Sequence, residues 1–545
     1  MEIFKKTNIY RLLFFITISI YCIFIAPLGF ENWDTGFIPG FSWRLLNGER
    51  IYEDFLYIRP PVSAYFHSIY LRILPEEGQY FYMRIIGYLL FALQTFCAVL
   101  GFDKLFDLKK LGLDKWALMT VGFILSIHNF FANPWFTTDG ILFASIAFYL
   151  MAILKKKNFF TLFIVAFFCF LSALTKQSFY SIPIMFFLWI LIESGFKKSL
   201  YFLISTAILI TFFRFWISSF TSMEIYSSQV SENTKLESLF FTGFENYIRC
   251  FHNIYVLVLV VILPALIAFY DAGKKIPSLF LYLKWLSITL FISGLIAFFI
   301  IDFKQITVIF FNATAVAFIY KSGLNFNKIK ENFPIGVLLC IAWCSGLSLG
   351  YSYPVLFTTG LILGYFYLMH DDYKAYKLNR FYVWIAIPVC LFVFLMNQRP
   401  YREKNFSELN YSMEAVSPKL KHIYSSKENL EKFLELKNLV QKYPNYVTAP
   451  SMPQSHYLFN QKNPISADWL TNFEINNKTD EFFKLISEKS DYLFIEKSFI
   501  QNEEFIESDE NRKEFSLLTW EIYKNSKPIS ETNHFFIYKS SEISK

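Results

Sequence analysis

The chain has 545 residues, of which 54% are hydrophobic and 21% aromatic but only 17% charged, and its mean hydropathy is +0.36. Soluble proteins carry roughly 25% charged residues, so this composition, with its repeated long apolar runs, excludes an ordinary soluble enzyme and indicates a polytopic membrane protein. The net charge of +7 matters through its placement and implies no nucleic-acid partner.

Met1–Arg11 is short and basic, and Leu12–Phe30 is apolar without a small-residue cleavage site. This reads as an uncleaved first span with its N-terminus in the cytoplasm. Further apolar runs near 81–102, 116–132, 140–154, 159–174, 181–194, 199–217, 253–270, 279–301, 305–320, 334–349, 354–369 and 381–397 bring the expected total to about 13 transmembrane helices, and to 11 if short runs fail to span. Lysine placement supports that count. Loops 103–115, 155–158, 195–198, 271–278, 321–333 and 370–380 are rich in Lys, whereas the short connections near 133–139, 175–180, 302–304 and 350–353 hold only Lys176 and Lys304. By the positive-inside rule the first set is cytoplasmic. Both large polar regions, 31–80 and 398–545, then lie outside the cytoplasm.

The first external loop contains two stretches with helical apolar spacing, Phe37–Leu46 and Pro61–Leu74, separated by the turn Asn47–Gly48. Both are expected to lie along the membrane interface, where their Trp and Tyr residues suit the headgroup layer. After Asn397 the composition turns rich in Lys, Glu, Asn and Ser. Helical periodicity at Lys427–Lys442, Glu481–Glu488 and Leu517–Tyr523 alternates with strand patterns at Asn445–Ala449, Tyr492–Glu496 and His534–Lys539, as in a small α/β domain. Two units are expected: a transmembrane catalytic domain over 1–397, with its first external loop at 31–80, and a soluble extracytoplasmic α/β domain over 398–545. The seven cysteines lie nearly all in apolar runs without CxxC spacing, so neither a disulfide framework nor a structural zinc site is expected.

The chemistry-bearing residues gather outside. Asp34, directly after span one, suits an N-cap and equally a general base taking a proton from an acceptor hydroxyl. Arg59, stiffened by Pro60 and Pro61, either snorkels to headgroups or holds a phosphate in its guanidinium fork. Asp54 lies between them as a structural or acceptor-facing carboxylate. Asp139, at the external end of its span, is costly so close to hydrocarbon unless it caps a helix or acts in the site. Arg84 and Lys176 are each either a phosphate contact or an interfacial anchor. Tyr351 and Tyr353 are further substrate-facing candidates. P-loop, GxGxxG, HExxH and GxSxG patterns are absent. A divalent metal through Asp34 and Asp139 stays open but has no support beyond the two carboxylates, and no cofactor is assigned.

Asp34-Thr35-Gly36 after span one, Tyr52-x-Asp54, Arg59-Pro60-Pro61, Arg84 opening span two, Thr138-Asp139-Gly140 and Leu174-Thr175-Lys176-Gln177 together resemble the GT-C glycosyltransferases that use polyprenyl-phosphate sugars, the relatives of protein O-mannosyltransferases and aminoarabinose transferases. The resemblance covers about the first 180 residues and rests on the order of the motifs. It implies a GT-C-like fold and an inverting transfer from a polyprenyl-phosphate sugar donor to a lipid, glycan or protein acceptor, at the outer face of a bacterial inner (plasma) membrane. Asp34 would be the base and Asp139 the second carboxylate, and Arg59, Arg84 and Lys176 would serve the donor phosphate; Asp54 within the matched stretch, and Tyr351 and Tyr353 outside it, are assigned to the substrate. Two departures stand out. Arg59 occupies a position where Lys is frequent, and Thr35 follows Asp34 where a second acid is frequent. The competing readings are a polysaccharide polymerase or ligase, and a lipid-sugar flippase or transporter. The latter usually shows paired repeats and broken helices, and neither is evident.

Overall fold

The computed structural model describes residues 2–127, 133, 135–231, 247, 254–273, 278–297, 303–347, 355–375, 400, 402–501 and 509–544. The chain is mostly helical, and a helix stands at each expected span from the first to 354–369. The expected span at 381–397 lies outside the described residues. Five described helical stretches are long and apolar enough to cross a membrane: Asn8–Ile25, Gln79–Phe106, Phe136–Ile153, Gln177–Ser194 and Phe196–Ser218.

Span one is α1 (Glu2–Ile20), extended by a π-helical turn over Tyr21–Ile25. The short helices α2 (Phe37–Leu46) and α3 (Val62–Ile73) follow in the first loop, and then α4 (Gln79–Phe106), α5 (Lys115–Ser126), α6 (Phe136–Ile153), α7 (Phe159–Ala173), α8 (Ser181–Ser194) and α9 (Phe196–Ser218). The spans are apolar on nearly every side, as expected of helices with lipid on one face and protein on the other. Outward-facing Phe160, Phe212 and Phe215, each about 70% exposed, mark such a lipid-facing surface. Close approach sets the helix pairs. A Cβ at Gly101 of α4 would lie 2.8 Å from the Phe148 ring and 3.1 Å from the Tyr149 backbone of α6, so glycine lets these two helices touch.

Beyond residue 400 a four-stranded sheet forms in the order β3-β4-β6-β5, with a separate ladder of β1 (Tyr411–Ser412) and β2 (Tyr424–Ser425). β3 (Tyr446–Ala449) runs parallel to β4 (Tyr492–Glu496), which pairs antiparallel with β6 (Phe535–Lys539); β5 (Ser530–Glu531) closes the edge. Alternate residues of β4 enter different cores. Phe494 stacks on Tyr446 and faces the Lys427–Lys442 helix, whereas Leu493 and Ile495 pack with Val447, Phe482 and Ile486.

This segment is not set apart from the first loop. Tyr424 donates its N–H to Pro27 O, Gly29 N donates to Tyr424 O, and Met452 N donates to Asn32 O. Phe30 packs against Phe433 and Tyr80. The expectation that α2 lies in the headgroup layer is therefore corrected: Phe37, Ile38, Gly40, Phe41 and Arg44 are all buried, because the later segment covers the helix. Trp43 instead faces the Lys419 amine, 4.0 Å from its ring. Only α3 keeps an exposed apolar edge, at Ile69 and Ile73.

Gly40 shows how tightly α2 is covered. A Cβ there would sit 2.6 Å from the Pro453 carbonyl oxygen, a backbone atom with little freedom to move. Alanine adds about 1 kcal/mol of helix propensity, but overpacking costs about 1–3 kcal/mol. Because the clash is with backbone, the cost is expected toward the upper end of that range, and Gly40→Ala should lower stability by up to about 2 kcal/mol net. A denaturation midpoint equal to or above that of the parent would contradict the packing.

Candidate active site

The turn after span one is built by Glu31, a residue the motif reading passed over. Its carboxylate accepts the backbone N–H of Thr35 at 2.5 Å and of Trp33 at 2.7 Å, and so caps the 3-10 turn Asp34–Gly36. The cap expected of Asp34 is thereby supplied three residues earlier. Glu31 is 2% exposed. Burial first, and the charge of Asp34 second, push its carboxyl up to about 7, against the opposing effects of Arg402 and the two amides. The second acid missing after Asp34 in sequence is present in space. Its signal was the spacing Glu31-x-x-Asp34, which places both carboxyls on one tight turn.

Asp34 is partly open, with an 18% exposed side chain, and its Oδ2 lies 3.6 Å from Nη1 of Arg402. Arg402 in turn stacks 5.7 Å from the centre of the Trp33 ring. Trp33 also meets Trp469 and Phe515, so the later segment forms an aromatic wall beside Asp34. Below it, Asn32 donates to Ser451 and to Glu496, and Lys432 bridges Asn32 and Glu496, which fixes the base of the turn.

Arg59 lies in the extended segment predicted from its prolines. Tyr52 donates to the Arg59 carbonyl and Gln177 to that of Ile58, each at 2.7 Å. The guanidinium is clasped between the Phe37 and Phe136 rings at 4.7 and 4.5 Å. Both arms of its fork donate to Glu474, at 2.8 and 2.5 Å. The group expected to hold a phosphate therefore holds a carboxylate from the later segment, within electrostatic reach of Asp34. Lys176 is buried, donates to Leu347 O, and is held down to about 7 by burial and by Arg59.

Asp139, in the first turn of α6, accepts a 2.7 Å hydrogen bond from Nε2 of His67 on α3, with both side chains almost fully buried. Its nearest partner is thus His67, which no local sequence signal marked. Tyr57 lies within electrostatic reach of Asp139, Arg59 and Glu474, and its buried hydroxyl has no hydrogen-bond partner among the described residues.

Two further assignments are corrected. Arg84 is buried and donates to the carbonyls of Ala26 and Leu28 and to Asn133; it satisfies the acceptors left open at the end of span one and is not presented to a donor phosphate. Asp54 faces solvent and closes a turn with Arg50, accepting from its backbone N–H and its guanidinium, which makes it structural. Tyr351 and Tyr353 lie outside the described residues.

Among the described residues no group of three His, Cys, Asp or Glu side chains is arranged as a metal site. At the acid pair, both Glu31 oxygens are engaged by amides and the positive charge facing Asp34 is a guanidinium. These residues do not fit a divalent ion there. What they offer is a partly exposed carboxylate on a rigid turn, backed by a second acid and flanked by aromatic rings: a site suited to taking a proton from a polar acceptor.

Comparison with solved structures finds, among others, two structures of archaeal oligosaccharyltransferase from Archaeoglobus fulgidus. One is an oligosaccharyltransferase in complex with Zn and sulfate, at 12% identity and a TM-score of 0.46, over 96% of this chain and 71% of that one. The other is AglB in complex with an inhibitory peptide and a dolichol-phosphate, at 12% identity and a TM-score of 0.48, over 98% of this chain and 74% of that one. No protein-family model matches the chain, and no curated protein does.

Proposed function

We propose that the chain is an integral-membrane, GT-C-like inverting glycosyltransferase that moves a sugar from a polyprenyl-phosphate donor to a lipid, glycan or protein acceptor on the extracytoplasmic side of a bacterial plasma membrane. The observation that carries this reading is the Glu31–Asp34 acid pair, set directly after span one and roofed by the segment beyond residue 400. Asp34 takes the proton of the acceptor hydroxyl or amine as that atom attacks the anomeric carbon. The bond from that carbon to the phosphate oxygen breaks on the opposite face, and the lipid phosphate leaves with the electron pair. Arg59, supported by Lys176, is the charge toward which that phosphate departs; it releases Glu474 as the phosphate arrives. Tyr57 adds a hydroxyl within electrostatic reach of Arg59, Glu474 and the His67-held Asp139. About thirteen spans and an extracytoplasmic α/β domain complete this reading.

The test uses membranes containing the full chain and a panel of undecaprenyl- and dolichyl-phosphate hexoses and pentoses, with the sugar radiolabelled. Release of the lipid phosphate together with transfer of label, or with its release to water, is the expected result. Movement of intact donor across the bilayer with the sugar still attached would replace the enzyme by a flippase.

A further inference from the structure

Arg402 holds a left-handed backbone beside the candidate base. Its φ of +55° lies in a region that non-glycine residues rarely adopt. Its Nη1 lies 3.6 Å from Asp34 Oδ2, and the arginine side chain is 45% exposed.

The surroundings nevertheless fix it firmly. The next residue, Glu403, is buried and accepts hydrogen bonds from Phe30 N at 2.9 Å, from Asn429 at 2.9 Å, and from Ser425. Glu403 therefore clamps the strained turn to the residue just before Glu31. The Trp33 ring supports the guanidinium from one side. The charge is thus delivered to the acid pair, in contact with Asp34 and within electrostatic reach of Glu31.

We propose, on the basis of the glycosyltransferase reading above, that Arg402 is a positioning residue for Asp34: its guanidinium aims the carboxylate and supplies the positive charge that the Glu31–Asp34 pair needs. In an inverting displacement the base and the departing phosphate stand on opposite faces of the sugar. A cation in contact with the base accordingly acts on the acceptor side. Arg402 sets turnover, and the donor phosphate is bound elsewhere.

The experiment compares the full-length parent, Arg402→Ala and Arg402→Lys in membranes, reading release of radiolabelled sugar from the donor that the parent uses. Arg402→Ala is expected to lose about 10–100-fold in kcat with donor KM held within about twofold. Arg402→Lys should recover part of the loss, and added guanidinium ion should raise the rate of the alanine variant and not that of the parent. A normal kcat in the alanine variant overturns the assignment. A raised donor KM with kcat kept makes Arg402 a phosphate ligand and also overturns it. Loss without rescue by Lys or guanidinium shows a purely structural role. If the parent releases sugar from no donor, the glycosyltransferase reading falls and the assignment with it; a working parent with an unaffected variant removes only the assignment.

Discussion

Asp34→Asn is expected to reduce sugar transfer by about 10²–10⁴-fold, the usual contribution of a positioned general base. The substitution keeps shape and hydrogen-bonding size, and the turn that holds residue 34 is capped by Glu31 and not by Asp34 itself. The variant should therefore fold, bind donor and fail at proton removal. Initial rates at saturating donor, compared with donor KM, separate these effects: kcat should fall while KM stays near the parental value. A companion Glu31→Gln would disturb the cap as well as the charge, so its loss of activity would say less. Parental turnover in Asp34→Asn would exclude Asp34 as the base.

The second large effect is expected at the Arg59–Glu474 pair. Both groups are largely buried, and the guanidinium is enclosed by Phe37, Phe136 and Phe473. Removing one partner of such a pair strands the other charge out of water, at a cost of about 3–5 kcal/mol. Glu474→Ala should therefore unfold at markedly lower denaturant or temperature than the parent. Glu474→Gln keeps an acceptor oxygen for the arginine and should be milder. If Arg59 receives the donor phosphate in exchange for Glu474, the Gln variant should also bind donor more tightly than the parent, since the competing carboxylate is gone. A loss below about 1 kcal/mol in the Ala variant would mean the pair is open to water and worth no more than a surface contact.

Much of the framework was legible from local pattern. Apolar runs mark the helices, and Tyr492–Glu496 is a strand over the same five residues that its pattern predicts, because a continuous apolar stretch between polar turns has few other uses. Lys427–Lys442 was equally plain from its helical spacing. Local pattern failed where partners are remote. Phe37–Leu46 carries the aromatic residues of an interfacial helix, yet residues beyond 450 cover it, and nothing within the helix announces that cover. Arg59 was rightly singled out as unusual, but its partner Glu474 is 415 residues away. Glu31 is the local exception, since its spacing to Asp34 alone is enough to place both carboxyls on one turn.

The stitching of residues 27–40 into the segment beyond 400 has a consequence in time. Contacts such as Phe30 to Glu403 and Asn32 to Glu496 span 373 and 464 residues of chain. The acid pair and its local cap emerge early from the ribosome, but the Trp469 and Phe515 rings and Arg402 join them only when the distant segment has folded. Such long-range closure is slow, because loop entropy must be overcome before the contacts reward it. A half-made chain carries the candidate base and no finished site around it. The order of synthesis thereby separates the appearance of Asp34 from the completion of its surroundings.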